Sequence, residues 1–305
     1  MQRKLKIVYM GTPEFAVPAL EKLIESEFEV VGVVTAPDKP AGRGLKLKYS
    51  PVKEAALKHN LPVLQPEKLK DEGFLNQLKD LGTNLIVVVA FRMLPELIWS
   101  FPKYGTFNLH ASLLPQYRGA APINWAIING ETETGLTTFF LKKKIDTGDL
   151  ILQEKEPITI EDTAGTLYKR LMTKGSDVVL KTVALIAENT YELTPQQDPE
   201  NPKGAPKIFR EDCEIDFNKP VDAVYNFIRG LSPYPAAWTN ALGKTCKIFA
   251  AEVVQKPVDS EENIVSDQKS YLYIRTAKGY ISIKELQPAG KKKMYVDAFL
   301  RGNKV

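Results

Sequence analysis

Two short stretches carry the side chains best suited to chemistry. In Thr106-Phe107-Asn108-Leu109-His110, Asn108 and His110 stand two apart, so on an extended strand they share one face while Leu109 points the other way. An amide beside an imidazole suits acyl transfer to an amine. The amide hydrogen-bonds the oxygen on which negative charge develops. The imidazole, with an unperturbed pKa of ~6.5, takes the proton that the attacking amine must lose. The plainer reading of His110 is a residue that ends its strand in a hydrogen-bonded turn. Ile145-Asp146-Thr147-Gly148-Asp149 offers carboxylates to orient the imidazole. Aspartate beside glycine also forms turns, and pattern alone does not choose between Asp146 and Asp149. The other histidine, His59 in Leu57-Lys58-His59-Asn60, reads as an exposed residue near a helix C-terminus, where cations are favoured.

Two loops flank this chemistry. Ala111–Gly119 follows His110 directly and holds Leu113, Leu114, Pro115 and Tyr117, apolar for a loop, as expected of a segment that lines or closes a pocket. Pro37–Ser50 sets Lys39, Arg43, Lys46 and Lys48 among Gly42 and Gly44, against one acid, Asp38. It reads either as a phosphate-contacting loop or as a solvated surface loop. Neither a GxGxxG nor a Walker sequence is present, so no dinucleotide or P-loop fingerprint is expected.

The elements that must position these residues follow from periodicity. Strands are predicted at Leu5–Met10, Phe28–Val34, Leu61–Leu64, Leu85–Ala90, Thr106–His110, Leu136–Leu141 and Leu150–Glu156. Between them, helices are predicted after Gly11-Thr12-Pro13, with Thr12 as cap and Pro13 at the first helical position, and after Ser50-Pro51 as far as Asn60. Further helices are expected over Glu67–Leu81, Pro122–Asn129 and Thr163–Ala187. Alternation of this kind indicates an α/β, Rossmann-like, doubly wound and mostly parallel sheet, which binds ligands beyond the carboxyl ends of its strands. The proline-rich stretch Leu193–Pro206 breaks the pattern and reads as an extended linker. Beyond it, Val221, Val224, Tyr225 and Ile228 mark one helix closed by Gly230. Strands at Cys246–Val254, Tyr271–Thr276 and Tyr280–Leu286, the last two forming a hairpin around Lys278-Gly279, predict a small β-barrel. The expected division is 1–190, a linker at 191–206, and 207–305.

With 305 residues, 44% hydrophobic and 26% charged, the chain is that of a globular protein rather than a disordered one. No apolar run approaches the ~18 residues of a spanning helix, and the apolar stretch after the basic start is too short for a signal peptide. Cys213 and Cys246 form no CxxC, so free thiols in a reducing cytoplasm are expected. The net charge of +4 is uneven: residues 1–202 balance to −1 and residues 203–305 to +5. That asymmetry points to a polyanionic partner for the second domain.

Taken together, these residues resemble the methionyl-tRNA formyltransferases, a branch of the folate-dependent formyltransferases. The resemblance runs through Gly11-Thr12-Pro13-Glu14-Phe15-Ala16, Asp38 to Gly44, Asn108 to Ile123, Ile145 to Asp149, and Arg229 to Trp238, covering nearly the whole chain in order. It implies transfer of the formyl group of 10-formyltetrahydrofolate to the α-amino group of methionine on initiator tRNA, with no metal because the donor is already activated. By the same resemblance Asn108 polarises the formyl oxygen, His110 handles the proton and Asp146 supports the histidine. Ser112, Leu113, Leu114 and Pro115 lie along the folate. Arg43, with Lys39 and Lys46, reaches the tRNA acceptor stem, and an OB-like C-terminal barrel holds the tRNA body. A monomer is expected. Phe91-Arg92-Met93-Leu94-Pro95 departs from the family pattern: it should border the pterin, and Arg92 puts a charge where glycine is common. A formyltransferase for a glycinamide ribonucleotide or an amino sugar shares the catalytic triplet, but the basic Pro37–Ser50 loop separates the tRNA enzyme from both. An RNA-binding protein on an inactive scaffold would be expected to lack Asn108, His110 or Asp146.

Overall fold

The computed structural model describes residues 3–41, 46–255 and 260–305. In chain order the first half runs β1 (Lys6–Gly11), α1 (Val17–Ile24), β2 (Glu29–Val34), the hairpin β3 (Lys39–Ala41) and β4 (Lys46–Lys48), and α2 (Pro51–Lys58). It continues with β5 (Val63–Leu64), α3 (Glu72–Asp80), β6 (Leu85–Val89), α4 (Glu96–Trp99) and β7 (Thr106–His110). After β8 (Arg118–Gly119) and α5 (Pro122–Ile128) come β9 (Glu133–Phe140), β10 (Leu150–Pro157) and the long α6 (Ala164–Glu188).

The chain forms two compact units. The first comprises Met1–Arg118, Gly135–Glu156 and Lys169–Lys203, and the second Gly119–Thr134, Pro157–Tyr168 and Gly204–Val305. The first is built on a seven-stranded sheet of order β10-β9-β7-β6-β1-β2-β5. It is parallel from β5 through β2, β1 and β6 to β7, as expected, while β9 runs antiparallel to β7. Because β6 is buried along its whole length, its apolar run shows no alternation. The strand order reverses between β1 and β6, so the crevice that such sheets offer opens beyond the carboxyl ends of β1, β6 and β7.

Two helix starts differ from expectation. Thr12 caps nothing: Glu14–Ala16 forms a 3₁₀ turn without a side-chain cap, and α1 begins at Val17. Pro18 occupies the first turn of α1, the place in a helix that tolerates proline, and so sets the start. The helix predicted from Glu67 begins at Glu72, because Asp71 accepts a hydrogen bond from Phe74 N (3.3 Å) and caps it there. Ser50 caps α2 as expected, accepting from Lys53 N (3.1 Å).

The second unit contains β11 (Gly204–Ala205), α7 (Val221–Leu231), β12 (Ala237–Thr239), β13 (Cys246–Val253), β14 (Ile264–Ser266), β15 (Leu272–Arg275), β16 (Tyr280–Pro288), β17 (Met294–Tyr295) and α8 (Val296–Leu300). Its sheet is antiparallel, ordered β12-β13-β16-β15-β14 with β17 beside β16, and the hairpin turns at Gly279. Val224, Ile228, Leu231, Ile248, Ile281, Ile283 and Phe299 build its core. Cys213 and Cys246 are buried free thiols in that core, and burial pushes both above the usual thiol pKa. Helices α5 and α7 approach closely at Gly230, where a Cβ would come within 2.7 Å of the Ile128 side chain. Next to it, Arg229 is only 6% exposed. Its Nε donates to Asn226 Oδ1 (2.8 Å), and its Nη1 donates to the carbonyls of Thr159 (3.0 Å) and Asp162 (2.9 Å).

Candidate active site

β7 ends at the crevice beyond the carboxyl ends of the parallel strands. Leu109 packs toward α6, where a Cβ on Gly175 would come within 2.9 Å of it, so Asn108 and His110 take the opposite face. Asn108 is half-buried, and its side-chain amide is uncommitted to a protein partner among the described residues. His110 is buried, 7% exposed. Its Nε2 lies 2.8 Å from the carbonyl of Tyr117. A carbonyl only accepts, so Nε2 carries the proton. In the neutral ring Nδ1 is then the basic nitrogen, and it faces Asp146 Oδ2 across 4.0 Å. A proton arriving at Nδ1 would leave an imidazolium held between a carbonyl and a carboxylate.

Geometry separates the two aspartates that pattern left open. Asp146 reaches toward His110, whereas Asp149 pairs with Lys142 Nζ (2.8 Å). The turn that presents Asp146 is sharp. Asp146 itself sits in the left-handed region at φ +51°. Gly148 admits no side chain, because a Cβ there would lie 1.5 Å from the carbonyl oxygen of Phe140.

The loop after His110 is pinned rather than open. Thr137, opposite His110 in the β7–β9 register, donates to Ser112 O (2.6 Å) and accepts from Leu114 N (3.2 Å). Gln153 Nε2 bridges Leu114 O (2.8 Å) and Thr137 Oγ1 (3.0 Å). Ser112 is fully buried, with its hydroxyl donating to Gln116 O (2.7 Å). Leu114 packs on Phe139 and Leu150. Of the four residues expected along the folate, only Leu113 and Pro115 therefore keep partly exposed side chains. Tyr117, at φ +60°, donates its N–H to Lys203 O (2.6 Å) and is buried. Sequence reasoning missed Thr137, Gln153 and the Tyr117 carbonyl: threonine in a strand is unremarkable, and a carbonyl has no sequence signature.

The remaining expected residues lie apart from this cluster or beyond description. Lys39 is exposed on the β3–β4 hairpin, Arg43 lies outside the described residues, and the side chain of Lys46 does too. At the root of that hairpin Asp38 is tied down. Hydrogen bonds from Lys53 and then Gln65 (2.9 Å) hold its carboxyl below the ordinary value. Arg92 folds back on the carbonyls of Pro66 and Glu67 (3.1 Å to Glu67). Its charge is thus spent on its own unit's backbone. His59 is an exposed C-cap of α2. Among the described residues no cluster of three or more His, Cys, Asp or Glu could hold a metal, and no helix is long and apolar enough to cross a membrane.

The family model described as formyl transferase matches residues 4–183, and that of the formyl transferase C-terminal domain matches residues 207–304. The chain belongs to the formyl transferase family. Methionyl-tRNA formyltransferase of Bacteroides thetaiotaomicron is 53% identical to this formyltransferase chain, across 98% of it and 95% of the relative. The protein of the same name from Flavobacterium johnsoniae is 51% identical, across 98% and 96%. Among solved structures, an N-formyltransferase from Helicobacter canadensis in complex with folinic acid and dTDP-3-aminofucose superposes with a TM-score of 0.69 at 23% identity, covering 95% of this chain and all of that one. The α/β sheet of the first unit and the antiparallel sheet of the second are the fold expected of such a formyltransferase.

Proposed function

We propose that this formyltransferase moves the formyl group of 10-formyltetrahydrofolate to the α-amino group of methionine on initiator tRNA. The observation that carries the chemistry is the cluster at the carboxyl end of β7: an Asn108 amide with no protein partner among the described residues, a basic Nδ1 on His110, and Asp146 behind it. The choice of acceptor is supported by relatives named for the tRNA reaction, identical at more than half of aligned positions over nearly full length.

The bound donor would supply an already activated formyl carbon. Asn108 donates to the formyl oxygen as charge grows there, worth ~10²–10³ in rate. His110 Nδ1 accepts the proton released as the new N–C bond forms, and returns it to the departing folate nitrogen as the old bond breaks. Asp146 favours the imidazolium during that interval. Leu113 and Pro115 offer the donor an apolar wall, while Ser112 and Leu114 shape the loop from within. Residues 1–190 would serve catalysis and 207–305 the tRNA body, joined by 191–206. Lys39, Arg43 and Lys46 would meet the phosphates near the acceptor end. The +5 balance of residues 203–305 supports a polyanionic partner for that region. We place this enzyme in the cytoplasm as a monomer.

The test is a transfer assay with 10-formyltetrahydrofolate and methionine-charged initiator tRNA, run beside uncharged tRNA and glycinamide ribonucleotide. Formylation of the charged tRNA alone is expected. Transfer only to the small amine would keep the catalytic cluster and overturn the assignment of the acceptor.

A further inference from the structure

His110 ends β7 and Asp146 lies in the turn between β9 and β10, and the stretch read from sequence as a linker bonds both to that turn and to the loop that follows His110. Thr194 exchanges both backbone hydrogen bonds with Leu150 (2.8 and 3.0 Å), and Lys203 N donates to Gln116 Oε1 (2.7 Å) while its carbonyl holds Tyr117. Between these anchors stands Gln196. Its Nε2 donates to the carbonyls of Asp146 (3.0 Å) and Gly148 (2.8 Å). Its Oε1 accepts from Arg118 Nη2 (2.7 Å) and Nε (3.2 Å). Arg118 follows Tyr117, whose carbonyl fixes His110 Nε2, and its Nη1 is bound to Asp198 (2.6 Å). All four hydrogen-bonding positions of one primary amide are therefore in use. The path from His110 through Tyr117, Arg118 and Gln196 to Asp146 closes on itself across the 4.0 Å gap between Nδ1 and Oδ2.

We propose that Gln196 is a positioning residue that sets the separation of Asp146 from His110. The left-handed backbone of Asp146 carries a conformational cost, and Gln196 clasps the carbonyls on both sides of Thr147. No other side chain of this length does both jobs. Glutamate keeps an acceptor for Arg118 but turns oxygen against two carbonyls. Methionine fills the space and makes neither contact. The inference rests on the formyl-transfer reading for its kinetic arm, and on geometry alone for its spectroscopic arm.

The experiment compares wild type, Gln196→Glu, Gln196→Met, Asp146→Asn and the double variant Gln196→Glu with Asp146→Asn. Each Gln196 variant is expected to lower kcat about 10- to 100-fold, in keeping with an ångström-scale misplacement, with KM for both substrates within about twofold. In the Asp146→Asn background, Gln196→Glu is expected to add less than about twofold, since residues acting through one another are not additive. Multiplicative losses in the double variant, or wild-type kcat in both single variants, would overturn the proposal. Independently of turnover, the imidazole ¹H–¹⁵N spectrum of a chain with two histidines reports His110 directly. Gln196→Glu should move the His110 signals as Asp146→Asn does and leave those of His59 in place. Unmoved His110 signals would refute the positioning role, whereas signals that move in Gln196→Glu, beside a wild type that transfers no formyl group, would refute only the reaction.

Discussion

His110 in the first unit and Arg229 in the second are both buried, nitrogen-rich side chains set against backbone carbonyls, yet they are finished differently. Arg229 spends three donors on Thr159 O, Asp162 O and Asn226 Oδ1, and burial lowers its pKa from the ordinary value without leaving it a task beyond bracing. His110 has one nitrogen saturated by Tyr117 and the other aimed at a carboxylate that is too far for a hydrogen bond. A buried polar group whose partners are complete is architecture. One held firmly on one side and left incomplete on the other keeps a nitrogen available for the proton transfer proposed above.

The contrast is breakable. His110→Ala should slow formyl transfer ~10²–10⁴-fold while the protein still folds, read by steady-state kinetics and by a thermal melt. Near-normal turnover would move His110 into the same class as Arg229. Asn108→Ala should slow transfer by ~10²–10³, with binding of the folate little changed in a titration. Arg229→Met should do the reverse. It removes the donor to the buried Asp162 carbonyl, at about 1–3 kcal/mol, and the donors to two partly buried acceptors, Thr159 O and Asn226 Oδ1, that water can reach. Denaturant unfolding should show a loss of about 1–3 kcal/mol, with kcat per folded molecule unchanged. A fall in kcat without a fall in stability would give Arg229 a part in the reaction. His59→Ala, at an exposed helix end, should change stability by no more than about 0.5 kcal/mol and leave the rate alone.

Much of this was readable from residues. The strand Thr106–His110 is observed with the bounds predicted for it, and Leu85–Val89 falls one residue short of them, because apolar runs between turn formers leave few alternatives. The pairing of Asn108 with His110 followed from the two-residue period of a strand. Helix starts were less legible. A proline already inside the helix, Pro18, and an aspartate just before Glu72 outweighed the apolar stripe that pointed to earlier starts. At the site, the choice between Asp146 and Asp149 depended on a turn that only Gly148 permits, and on Lys142 claiming one of them. Gln196 had no signal at all. It lies in a proline-rich stretch without periodicity, and its four hydrogen bonds go to two carbonyls and one guanidinium, none close in sequence.

The placement of Cys213 and Cys246 has a practical use. Both lie in the core of the second unit at 1% and 0% exposure, and the chain has no other cysteine. A thiol reagent therefore waits for that unit to open before it can react. Labelling rates measured with and without charged tRNA would test whether that ligand changes how often the second unit opens, with no engineered probe.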